Sequence, residues 1–194
     1  INRIFEGTNE INRLIIGGTF LKKAILEEIP IRDSIELRLK DWIPIQEIPI
    51  QNNLEKEVDV IEFCRSFTLF CLNEAINKYG QDLKNEQWVI EPFSNMVISI
   101  CIMDTCFKRY QQLDDGLHKD ETASVLRLSV ADQYVKLVEG GLNIVNYLFS
   151  DDVLKENIDL VSRWKSKLDY NPNRIEFQKE IVSVLYQYNK YYLD

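Results

Sequence analysis

The stretch Ile4-Phe5-Glu6-Gly7-Thr8-Asn9-Glu10-Ile11-Asn12-Arg13-Leu14-Ile15-Ile16 decides how this chain is read. Glu6-Gly7-Thr8 predicts a turn, and the residues after it predict the opening of a helix that Thr8 or Asn9 caps. Ile4 and Phe5 set the Glu6 carboxylate against an apolar surround. Desolvation there raises a carboxylate pKa, which is what a general base working near neutral pH needs. Gly7 lets another group approach the backbone closely, and the free N–H groups of the following helix suit an anionic partner. On spacing alone, the ordinary reading of a glutamate ahead of a helix is a solvated first-turn charge.

Outward from this stretch, the spacing predicts a first helix from about Thr8 to Glu28, with Pro30 stopping it. Gly17-Gly18 in its middle costs about 1–2 kcal/mol of helix propensity, most simply in return for close packing on another helix. Asp33 and Glu36 form a capping-box pattern for a short helix between Ile31 and Trp42. Pro44 and Pro49 forbid a regular helix across Ile43–Ile50, so residues 44–53 read as a linker. Long helices follow: about Leu54 to Tyr79, started by Asn52 or Asn53 and ended by Gly80; about Asn85 to Leu113, with Pro92 kinking it or marking its true start; and about Asp120 to Phe149, with Gly140-Gly141 inside it. Asp151 to Lys167 and Pro172 to Tyr192 complete the set, the last capped by Asn171. Met96–Met103 is apolar nearly all round and is expected to be the most buried run. No strand pattern is convincing. The expected fold class is all-α, an antiparallel helical bundle with short polar turns.

The 194 residues suit one or at most two domains, and 45% hydrophobic with 28% charged content is ordinary for a globular chain. A net charge of −8 argues against nucleic acid and against simple electrostatic attachment to anionic lipid. No apolar run approaches the length of a membrane span by inspection. Cys64, Cys71, Cys101 and Cys106 form no C-x-x-C pair and sit in apolar helical surroundings, so all four are expected as buried free thiols. With His118 the lone histidine, in a polar loop, no metal site is expected. Asp114-Asp115 and Asp151-Asp152 read as caps and solvated charges. The terminal Tyr186, Tyr188, Tyr191 and Tyr192 read as side chains packed over a bundle edge.

The string Arg3-Ile4-Phe5-Glu6-Gly7-Thr8-Asn9-Glu10-Ile11-Asn12-Arg13-Leu14 resembles the segment that carries the catalytic glutamate of flavin-dependent acyl-CoA dehydrogenases. The helical stretch after it, with Arg163-Trp164-Lys165, Tyr170-Asn171-Pro172 and Asn189-Lys190-Tyr191-Tyr192 near its end, is similar to the extension of the very-long-chain branch, bacterial members included. The resemblance implies a C-terminal part of such an enzyme, since the chain does not begin with Met and opens inside the motif. It implies residues 1–43 as the tail of the catalytic domain, 44–53 as the linker and 54–194 as an appended helical-bundle domain. It further implies Glu6 as the base, Gly7 on the substrate side, and Thr8, Asn9 and Glu10 on the flavin side. Ile15-Ile16-Gly17-Gly18-Thr19 stands where the family can place a basic residue for CoA, so no CoA contact is assigned there. The implied cofactor is FAD, not retained by these residues alone. The implied partners are a fatty acyl-CoA, an electron-transfer flavoprotein and a second copy in a homodimer, with weaker support for membrane association. The implied location is cytoplasmic in a bacterium or the mitochondrial matrix in a eukaryote. The alternative is a non-catalytic helical dimerisation or interaction module that keeps the motif as a remnant.

Overall fold

The computed structural model describes residues 9–29, 31, 33–35, 54–113 and 119–188; the side chains at 10, 25, 119–121 and 188 fall outside that description. The described residues form six α-helices: α1 (Asn9–Ile25), α2 (Glu55–Tyr79), α3 (Gln87–Gln111), α4 (Lys119–Leu148), α5 (Asp151–Leu168) and α6 (Arg174–Tyr188). A 3-10 turn, Gly80–Asn85, joins α2 to α3. No strand occurs among the described residues, and the fold is the expected all-α bundle. Pairings fix the directions. Arg13 meets Asn95, Arg65 meets Asp104 and Ser124 meets Glu180, so α1 and α3, α2 and α3, and α4 and α6 run antiparallel. Phe63 meets Tyr134 and Lys78 meets the Leu148 carbonyl, so α2 and α4 run the same way.

Gly80 ends α2 with φ +53°, a left-handed conformation that glycine adopts without strain, and its N–H closes on the Ile76 carbonyl. The start of α2 differs from expectation. Leu54 stands at the N-cap with no side-chain cap bond and is 1% exposed, so burial fixes this helix end; Asn52 and Asn53 lie outside the described residues. Pro92 sits inside α3, not at its start. At α6 the cap is Asn173, two residues after the expected Asn171. Its Oδ1 accepts from the Glu176 N–H at 3.2 Å while its Nδ2 donates to the Glu176 carboxylate at 2.9 Å.

The most buried helix is α2, and the expectation for Met96–Met103 is corrected. Met96, Ser99 and Met103 are buried, but Cys101 and Ile102 are exposed. Each of α2 and α3 packs against three described helices and the 3-10 turn, but Cys101 and Ile102 lie on a side of α3 that none of these covers. Ser66 and Thr68 are tolerated in α2 because each hydroxyl donates to the carbonyl one turn back, Glu62 at 2.9 Å and Cys64 at 2.8 Å. An aromatic run along α2 ties the layers together. Phe63 and Phe67 lie 5.8 Å apart, Phe67 and Phe70 6.4 Å, and Trp164 of α5 meets Phe70 edge-on at 5.7 Å. Gly141 of α4 faces this run. A Cβ there would strike the Phe67 ring and lie 2.9 Å from Met96 Cε, so α2, α3 and α4 meet at a point that admits no side chain.

Two further expectations change. Tyr186 is 84% exposed and does not cover the bundle edge; Tyr191 and Tyr192 lie outside the described residues. By length and composition α3 is apolar enough to cross a membrane, contrary to the reading by inspection, although 39% of that window is buried in the bundle.

Candidate functional site

Glu6, Gly7 and Thr8 lie outside the described residues. Asn9 is the first residue of α1 and half-buried, and Glu10 follows it in the helix with its side chain undescribed. What the structure does describe is the platform on which the helix after the motif rests.

That platform is α3. Phe20 packs on Phe93 with centroids 5.5 Å apart, and Leu21 is 4% exposed. Between these apolar contacts and the start of α1 lies Gly17. A Cβ on it would collide with the Ser94 hydroxyl, reach 2.7 Å from Ile90 Cγ2 and 3.1 Å from the Ile90 carbonyl oxygen. The expected close approach is therefore real at Gly17, whereas Gly18 faces open space. The missing Cβ lets the Ser94 hydroxyl reach the α1 backbone. It lies 2.6 Å from the Arg13 carbonyl and 2.7 Å from the Ile90 carbonyl, and its one proton serves either. Beside it, Arg13 Nε donates to Asn95 Oδ1 at 2.6 Å, and Asn95 Nδ2 donates to Glu91 Oε1 at 2.8 Å. Sequence reasoning missed Arg13, Glu91, Ser94 and Asn95. The available signals were the glycine in α1 and a polar Ser94-Asn95 pair set three and four residues after a carboxylate in a largely apolar stretch of helix.

A second polar cluster lies where α2 meets α4 and the α5–α6 turn. Glu57 is 5% exposed, and burial pushes its pKa up from the ordinary 4.5, with its own backbone N–H, Arg127 and Lys56 opposing. Tyr170 stacks edge-on against Tyr134 at 5.5 Å, and its buried hydroxyl has no hydrogen-bond partner among the described residues. Burial drives the Tyr170 phenol far up and the Tyr134 phenol up to about 12. Nearby, Arg174 Nη2 lies 2.8 Å from Asp132 Oδ1, an ion pair without hydrogen-bond alignment. Because the folded-state pKa of Glu57 is raised, its contribution to stability is full below pH 4.5 and is lost as pH rises through the raised value. Glu57→Gln is therefore expected to melt above the parent near neutral pH and to converge with it below pH 4.5. Melting temperatures across about pH 4 to pH 8 check this.

Among the described residues no group of three His, Cys, Asp or Glu side chains is placed to hold a metal ion. Cys64 and Cys71 are buried, with thiol pKa values pushed well up by desolvation. Cys101 is exposed and Cys106 half-buried, which corrects the expectation that all four are buried. A crevice between α1, α2 and α3, lined by Gly17, Leu21, Cys71, Ala75 and Phe93, has a volume of about 10 Å³, room for one water at most. A shallow groove runs over Ile175, Gln178, Lys179 and Val182 of α6. The crevice has no room for a flavin ring.

The fold and this platform define a helical module in which α1 is seated against α3 of the bundle. No protein-family model matches the chain. It is 34% identical over 113 residues, 58% of its length, to a probable acyl-CoA dehydrogenase of Bacillus subtilis (strain 168). Its fold matches that of an acyl-CoA dehydrogenase from Bacillus anthracis crystallised with FAD, with a TM-score of 0.85, 24% identity and 98% of this chain covered. The chain thus shares sequence with one probable acyl-CoA dehydrogenase over part of its length and shares its fold with another acyl-CoA dehydrogenase. It spans 19% of the length of the Bacillus subtilis protein and 33% of the Bacillus anthracis chain.

Proposed function

We propose that these residues are the C-terminal part of a flavin-dependent acyl-CoA dehydrogenase that oxidises a fatty acyl-CoA between its α and β carbons. The observation that carries this reading is the 34% identity to the Bacillus subtilis relative. In it, the Glu6 carboxylate takes the α-proton, Gly7 belongs to the substrate side, and Thr8, Asn9 and Glu10 belong to the flavin side. The hydride acceptor in that chemistry is FAD. An apolar setting for Glu6 keeps the base weakly solvated, so its proton affinity suits neutral pH.

The crevice under α1, with room for one water, and the shallow groove on α6 give no support for a flavin site in the described residues. This chain by itself is therefore proposed neither to hold FAD tightly nor to turn over substrate. An electron-transfer flavoprotein is the proposed electron acceptor and a homodimer the proposed assembly. The acidic balance favours protein contact over anionic lipid. The proposed setting is the bacterial cytoplasm, or the mitochondrial matrix in a eukaryote.

The test is the flavin spectrum of the dehydrogenase-length protein containing these residues. A yellow protein whose flavin absorbance bleaches on adding a fatty acyl-CoA is the expected result. A colourless protein that takes up no FAD overturns the reading in favour of a non-catalytic helical module.

A further inference from the structure

α1 packs against α3, and only some of the contacts between them fix where it sits along its axis. Apolar contacts such as Phe20 on Phe93 tolerate sliding, since a helix presents a similar face again after one turn of about 5.4 Å. The contact at Gly17 does not. Ser94 and the Ile90 carbonyl fill the space where a Cβ would stand. A slip of one turn in either direction would bring Arg13 or Leu21 to that point, and each carries a side chain that the space excludes.

The adjoining hydrogen bonds select the same position. Glu91 accepts from Asn95 Nδ2 at 2.8 Å and so turns the amide oxygen of Asn95 toward α1. That oxygen then accepts from Arg13 Nε at 2.6 Å, while the Ser94 hydroxyl reaches the Arg13 carbonyl at 2.6 Å. Arg13 thus meets α3 at both its side chain and its backbone. It is one helical turn from Asn9, where α1 begins. An axial movement of α1 moves Asn9, its first residue, by the same amount.

We infer that Glu91, Ser94 and Asn95 are positioning residues: with the Gly17 notch they set the axial register of α1 and thereby place the turn that carries Glu6. The inference rests on the proposed role of Glu6 as the base. It gives the helical extension a part in catalysis through placement, not through contact with substrate. A base displaced by about 1 Å can lose on the order of 10²-fold in rate, so a register lock of this kind has a measurable effect.

The test uses Asn95→Leu, which removes both bonds at nearly constant volume, and the double variant Glu91→Gln with Asn95→Asp. In the double variant the carboxylate and the amide change places, so both hydrogen bonds and the net charge are kept. In the 194-residue chain, hydrogen exchange of the amides from Arg13 to Leu21 is expected to quicken about tenfold in Asn95→Leu, with α2 and α4 unchanged and the double variant restored. In the dehydrogenase-length protein, Asn95→Leu is expected to lower kcat by about 10–100-fold. KM should stay within about twofold, and the acid limb of the pH–rate profile should move. Unchanged exchange in Asn95→Leu overturns the register lock, whatever Glu6 does. Faster exchange with unaltered kcat and pH profile overturns the link to catalysis. A fully active Glu6→Gln enzyme overturns the assignment of the base, a separate failure that the exchange data distinguish.

Discussion

Phe67→Ala is expected to cost about 3–5 kcal/mol of folding stability, a fifth or more of what a domain of this kind commonly has. Phe67 is fully buried, touches the rings of Phe63 and Phe70, and lies against Gly141 on α4. The hole left by its ring cannot be filled from the α4 side, because the residue there has no side chain to move inward. The backbones of α2 and α4 would have to close together, and Met96 on α3 stands in the way at the same point. Urea titration is the check: the midpoint should fall with an unchanged slope. The coupled expectation is that Gly141→Ala destabilises the parent by about 1–3 kcal/mol through overcrowding but costs less, or helps, once Phe67 is alanine. A midpoint within about 0.5 kcal/mol of the parent would show that Phe67 does not hold the three helices together.

Glu6→Gln in the dehydrogenase-length protein is expected to reduce the rate of flavin bleaching by a fatty acyl-CoA by about 10²–10⁴-fold. Glutamine keeps the shape and polarity of glutamate but has no basic oxygen for the α-proton, so the loss falls on kcat and leaves KM nearly unchanged. Stability gives the control. A variant that melts within about 0.5 kcal/mol of the parent assigns the rate loss to chemistry and not to unfolding. Stopped-flow absorbance with and without the substitution measures the rate directly. A variant that bleaches at the parent rate would place the base elsewhere.

Much of the bundle was legible in the sequence, because its helices carry local punctuation. Gly80 marked the end of α2, and Asp151 marked the start of α5. The Gly140-Gly141 pair marked a close crossing, which the structure places at Gly141. What failed was whatever depends on neighbours. Met96–Met103 has the more apolar string, yet α2 is more buried, since burial follows from where the neighbouring helices lie around an element and not from its own composition. The 3-10 turn at Gly80–Asn85 was hidden because its polar residues read equally well as the start of the next helix. At α6, Asn171 and Asn173 are both plausible caps by type, and only the bonds to Glu176 separate them. For the platform under α1, the glycine announced a close contact but carried no information about its partner. Arg13 and Asn95 are 82 positions apart, and no local periodicity links them.

That separation has a consequence for biosynthesis. Arg13 leaves the ribosome well before Asn95 has been added, and at about 5–20 residues per second the gap is roughly 4–16 s. Throughout it, α1 has no seat. Its glycine-interrupted sequence makes a poor helix by itself, and Ile11 and Ile15, each more than half exposed even in the finished fold, stay available to other apolar surfaces. The nascent chain is most vulnerable to chaperone capture or misassembly before α3 has been synthesised, and α1 is expected to be among the last elements to lock.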